Sequence, residues 1–235
     1  MKKRTLALIL FALTLTGILL FTLSLKNDSS SEPYVITPVS SPQSVQLSLH
    51  GCKLTVISGE STSVEVIGFR ENDISVYEKN GILVIADRLS DGHRITLGGI
   101  SKSIREIGKE SSAKEIVLSL SAEDLGKSIN IAVQDSTLTL SADIQNLTVF
   151  SKTSTVTMSS DSFTRWDAYL ENCQATLKFS ASKNDFSRNI KTFDTVFSFN
   201  GESGANSEYH LSDSSTSELI VESQGGTLSV EVGNN

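Results

Sequence analysis

The sequence predicts an all-β domain, a right-handed parallel β-solenoid of β-helix-like type, following an N-terminal transmembrane helix. Three observations predict it. A twelve-residue block recurs with apolar residues two apart at each end. The block centres are small and polar, with few of the dipeptides that close tight hairpins. A long uncharged apolar run follows a basic N-terminus. An antiparallel β-sandwich of hairpins would give the same local alternation and stands as the alternative.

The chain opens with Lys2, Lys3 and Arg4, and from Thr5 to Leu25 it carries neither charge nor proline. As a helix that run would span roughly 31 Å, about one hydrocarbon thickness. A cleavable signal has a shorter apolar region and a small-x-small exit. Here the exit is the poor Thr22-Leu23-Ser24, and no cysteine offers a lipid attachment site. Residues 1–26 are therefore expected to be an uncleaved signal anchor. The basic end stays inside, leaving the C-terminal domain extracellular at the cell membrane. Secretion after signal cleavage is the alternative. Residues 27–43 are rich in Ser and hold Pro33, Pro38 and Pro42, all the prolines of the protein. Such a segment reads as a linker that lifts the domain off the membrane.

Residues 44–235 are read as the β-solenoid domain. INIAVQDSTLTL (129–140), LTVFSKTSTVTM (147–158), AYLENCQATLKF (168–179) and LIVESQGGTLSV (219–230) align without gaps. The first, third, tenth and twelfth places are apolar, with Ala168 the smallest. The eighth place is small (Ser136, Ser154, Ala175, Gly226) and the ninth is Thr137, Thr155, Thr176 or Thr227. VQLSLHGCKLTV (45–56) and ISVYEKNGILVI (74–85) fit with the threonine replaced. Apolar residues two apart share one face of a strand, so each block is strand, bend, strand around one core. The small eighth residue marks the bend. Blocks starting at 129, 147 and 168 have the period of a solenoid. Residues 86–113 break the pattern, with a turn at Asp91-Gly92-His93 and helix-like spacing from Ile100 to Ile107. Residues 180–218 read as one irregular coil.

The final block, LIVESQGGTLSVEV, resembles the repeating unit of the bacterial putative-adhesin domain family of unknown function. The likeness runs from about Ser44 to the C-terminus, with NGILVIAD and EIVLSLSAEDLGKSINIAV in the expected order. It implies a repetitive β-helical fold and a surface role, and brings no catalytic residue. Only the last block keeps a glycine pair, Gly225-Gly226, in the turn. Ser121 stands where the family usually has proline.

The chemistry-bearing residues are scattered. His50, His93 and His210 lack metal-ligand spacing, and no nucleophile elbow or phosphate loop is present. Asp135, Asp143, Asp161, Asp167 and Asp185 occupy different block positions. No catalytic, cofactor-binding or metal residue is assigned, and no enzyme activity is expected. Phe150 and Tyr169 have the parity opposite to the core and form a possible contact surface, whereas Trp166 shares the core parity. Cys52 and Cys173 fall in different columns of a stack, so no disulfide between them is expected. The formal charge is −7; without residues 1–26, which hold Lys2, Lys3, Arg4 and Lys26 but no acidic residue, it is −11. That argues against nucleic acid as a partner. The expected function is a non-enzymatic, membrane-tethered extracellular surface module. It would contact an envelope protein, a polysaccharide or another external component. The alternative is an envelope-stress or signalling accessory that binds a membrane partner or peptide.

Overall fold

The computed structural model describes residues 32–69, 73–87, 114–180, 186–204, 208–211 and 217–233. The expected anchor at 1–26, the first part of the linker and residues 88–113 lie outside them. Among the described residues no helix is long and apolar enough to cross a membrane.

Strands dominate. β1 (Tyr34–Ile36) falls inside the segment read as a linker, and β2 (Ser44–His50) and β3 (Lys53–Ser58) are the halves of the first block. β4 (Ser63–Ile67), β5 (Ile74–Lys79), β6 (Ile82–Asp87) and β7 (Glu115–Leu120) follow. The repeat supplies β8 (Ser128–Gln134), β9 (Thr137–Ser141), β10 (Asn146–Lys152), β11 (Thr155–Ser160) and the long β12 (Arg165–Phe179). β13 (Ser187–Phe193), β14 (Val196–Phe199), β15 (Glu202–Gly204), β16 (Glu208–Leu211) and β17 (Glu218–Val232) complete the sheet.

The expected right-handed parallel β-solenoid is not what forms. The strands make one mixed sheet that curls, barrel-like and nearly closed, around a single core. The repeat blocks do pair in parallel. First halves lie in the order β6, β2, β8, β10, β12, β17, β13, and second halves in the order β7, β3, β9, β11, β12, β17, β14. That order is not the chain order, as coils added one upon the last would require. β17 lies between β12 and β13, and β2 lies between β6 and β8. Antiparallel strands join the same sheet: β5 beside β6, β4 beside β7, β1 beside β4, β16 beside β13 and β15 beside β14. The reason is edge physics. A parallel stack ends in rows of unpaired N–H and C=O groups, and these antiparallel strands cover them. The sandwich of hairpins fails too: β8 has β2 on one side and β10 on the other, leaving no edge for β9. The block at 74–85 alone is a hairpin. Asn80 and Gly81 have φ of 54° and 76°, the two left-handed residues that turn β5 back onto β6.

The inward columns follow the period of two. Ile129, Ile131 and Val133 of β8 are buried, as are Leu138 and Leu140 of β9, and the same places are apolar and buried along most of the ladder. The third repeat is displaced by two residues from the sequence alignment. Trp166 pairs with Leu147 and Leu219, Cys173 with Gly226, and Ala175 with Val156 and Leu228. Trp166 thus takes the first place, Cys173 the eighth and Ala175 the tenth. A slip of two preserves the alternation, so the pattern tolerates either register; the interior selects one. Trp166 is fully buried, donates its Nε1–H to the Ile144 carbonyl at 2.7 Å, and packs with Phe163 and Phe179.

The bend lies at the seventh place rather than the eighth. Gly51, Asp135, Thr153, Asn172, Gly225 and Asp194 form one column and all have positive φ, between 49° and 70°. The eighth place fills the inside of the bend. Ser136 Oγ donates to Gln134 O at 2.7 Å and accepts from the amide of Cys52. Ser154 Oγ donates to Lys152 O at 2.7 Å and accepts from the amide of Ser136. The Cys173 thiol continues the row, 3.3 Å from the carbonyls of Ser151 and Glu171. A small polar residue is needed there to satisfy backbone groups that the bend takes out of water. Cys52 and Cys173 therefore share a column, yet they lie three coils apart, buried and not bonded to each other.

Candidate contact surface

The in-register ladder turns each outward place of the first-half strands into a column crossing the sheet. The fourth place reads Ser48, Ala132, Phe150, Tyr169, Glu222, Lys191 along the stack. The sixth reads His50, Gln134, Lys152, Glu171, Gln224, Phe193. Between these columns runs an open trough of about 750 Å³. It crosses six strands, or roughly 24 Å at the usual strand spacing.

Phe150 and Tyr169 stand at its middle. Their ring centroids are 4.9 Å apart and the rings are within 9° of parallel, so neighbouring strands present a stacked aromatic pair. Phe150 is 52% exposed and Tyr169 is half-buried. Phe193, 61% exposed, adds an apolar group at one end. Beside the pair, Lys152 Nζ lies 2.7 Å from Glu171 Oε1. Both are about half exposed, so their pairing orients the side chains and contributes little stability. At the other end His50 Nε2 lies 3.0 Å from Asp135 Oδ2, and the His50 amide donates to the buried Asp87 carboxylate. Lys152 and Lys191 balance Glu171 and Glu222, so the trough carries no net charge.

The parity reading of Phe150 and Tyr169 placed both outward, and the structure brings them together. Their stacking depends on the two-residue displacement, because the sequence alignment put Glu171 beside Phe150. The same displacement hid the Lys152–Glu171 pair. Phe193 was missed because the repeat lapses there; it shares parity with the buried Phe197, and only the bend at Asp194 turns it outward. On the opposite outward face, the ninth and eleventh places are mostly hydroxyls, among them Thr137, Thr139, Thr155, Thr157 and Thr176. Of the scattered aspartates, Asp143 has a structural task. Asp143 accepts from Ser160 Oγ and from the amides of Asp161 and Ser162, tying one coil connection to the next. Among the described residues no group of three His, Cys, Asp or Glu side chains could hold a metal ion.

No family model and no curated protein matches the sequence. Among solved structures, this chain is similar to a putative cell adhesion protein from Clostridium sporogenes, with a TM-score of 0.54 at 15% identity over 86% of this chain and 98% of that one. The two share a fold. A putative adhesin from Bacteroides fragilis aligns over 86% of this chain and 98% of its own at 12% identity, with a TM-score of only 0.31. A putative lipid binding protein from Parabacteroides distasonis aligns over 87% and 98% at 10% identity, with a TM-score of 0.25. Scores that low carry no argument about this chain.

Proposed function

We propose that this protein is a non-enzymatic, adhesin-like surface module. Its trough is the face that meets envelope or external material. Residues 1–26 hold the chain in the membrane and place the domain outside. One observation carries the reading: an outward trough crossing six strands, with a stacked aromatic pair at its centre. A long, shallow contact of this kind suits an extended partner. Any single contact is weak, so retention depends on several copies acting side by side. The fold shared with the Clostridium protein supports the reading, as does the resemblance of the repeat blocks.

The test compares the full-length chain at high and low density on supported bilayers for capture of isolated cell-envelope fragments. Retention that rises steeply with density supports the reading. Equal retention per molecule at both densities rejects the multivalent contact. Turnover of envelope glycan by the purified protein rejects the non-enzymatic part.

A further inference from the structure

We propose that the trough takes a linear, uncharged glycan, with one sugar ring seated on the face of Phe150 turned away from Tyr169. This rests on the reading of the trough as the contact surface.

The fourth column steps down sharply beside Phe150. Its neighbours on that side are Ala132 and then Ser48, a methyl and a hydroxymethyl group. One face of the Phe150 ring is taken by Tyr169, and the other overlooks this ledge. A pyranose presents an apolar C–H face of similar size to an aromatic ring, with hydroxyls round its edge. Seated on the ledge, it would cover the ring with that face and turn its hydroxyls towards the polar column. Gln134 lies in that column beside the ledge and Gln224 further along the trough. A carboxamide both donates and accepts, as hydroxyl partners require.

Charge excludes the common alternatives. Residues 27–235 carry a formal −11, yet the trough itself is balanced by Lys152, Lys191, Glu171 and Glu222. An anionic polymer would meet an acidic domain without a surplus of cations, and a cationic one would find no surplus of anions in the trough. A peptide recognised as an added strand needs an open sheet edge. β8, β10, β12 and β17 each have a parallel neighbour on both sides, so the trough offers none. Its length, roughly 24 Å, suits a polymer rather than a single small molecule.

The experiment uses the full-length chain in detergent. It measures retention on cellulose, chitin, curdlan and mannan as neutral glycans, on hyaluronate as an anionic one, and on isolated envelope material. Four proteins are compared: wild type, Phe150→Ala, Ala132→Trp to fill the ledge, and Thr157→Ala on the opposite face. The expected result is wild-type retention on at least one neutral glycan, with affinity about tenfold weaker in Phe150→Ala. Ala132→Trp should lose at least as much and Thr157→Ala nothing, while thermal melts stay alike. Retention of wild type and Phe150→Ala to the same extent on the neutral glycans would overturn the proposal, as would binding to hyaluronate alone. Binding to envelope material separates failure of the glycan from failure of the contact surface. If the trough variants lose envelope binding while no neutral glycan is retained, the contact surface stands and the glycan is wrong. If they bind envelope material as wild type does, the reading of the trough itself is wrong.

Discussion

A Cβ atom on Gly226 would stand 2.1 Å from the carbonyl oxygen of Cys173, the residue beside it on the neighbouring strand. Two coils approach at this point so closely that only a hydrogen fits. The backbone of Gly226 is also left-handed, with φ of 80°. Gly51 has a similar φ of 63° but open space round its Cβ position. Gly226→Ala should therefore destabilise the domain by about 2–4 kcal/mol through strain and clash together. Gly51→Ala should cost about 1–2 kcal/mol from backbone strain alone. Equilibrium denaturation of the two variants reads the difference, and equal losses would disprove the close approach.

Ser154 serves two coils at once. Its hydroxyl donates to Lys152 O and accepts from the buried amide of Ser136. Ser154→Ala removes both partners and should cost about 1–3 kcal/mol, since buried backbone groups are left unmade. Cys173 sits in the same column, so Cys173→Ser should fold with little loss, whereas Cys173→Leu should overpack the bend by about 1–3 kcal/mol. Melting temperatures ordered serine, then leucine, confirm the corrected register. A leucine variant as stable as the serine variant contradicts it.

Burial raises the Cys52 thiol from its ordinary 9.0 to about 11, with Asp87 adding to the effect. The unfolded chain loses this proton first, so between pH 9 and about 11 the folded domain binds more protons. The stabilisation is therefore complete below pH 9 and is lost as pH rises towards 11. The loss should amount to about 2–3 kcal/mol and be absent from Cys52→Ala, so the difference between the two stability curves isolates it. In the native state at pH 8 the thiol should resist alkylation until the domain unfolds.

Trp166 joins the third coil to the connection before it through its Nε1–H and the Ile144 carbonyl. Trp166→Phe keeps an aromatic ring in the cluster with Phe163 and Phe179 but leaves that carbonyl without its indole donor. A loss of about 1–3 kcal/mol is expected. Phe150→Ala, on the exposed trough, should change stability by less than about 1 kcal/mol. Chemical denaturation of both variants checks the contrast. A larger loss at Phe150 would mean that its ring is structural rather than free for contact.

Period-two alternation alone settled which residues face inward. Side chains alternate across a strand, so Ile129, Ile131, Leu138 and Leu140 could enter the core only together, and Phe150 and Tyr169 had to point away from it. The repeat also showed that a small residue accompanies each bend, but it put the bend at the eighth place, one residue after the left-handed position. Three things were left to the tertiary structure. A two-residue slip leaves an alternating pattern unchanged, so only the buried indole of Trp166 and the aromatic packing round it set the register that stacks Phe150 on Tyr169. The blocks present near-equivalent faces, so nothing local says that β17 inserts between β12 and β13 rather than at the end. The antiparallel strands that make the sheet mixed answer to the open edges of the stack, and those edges exist only once the coils have assembled.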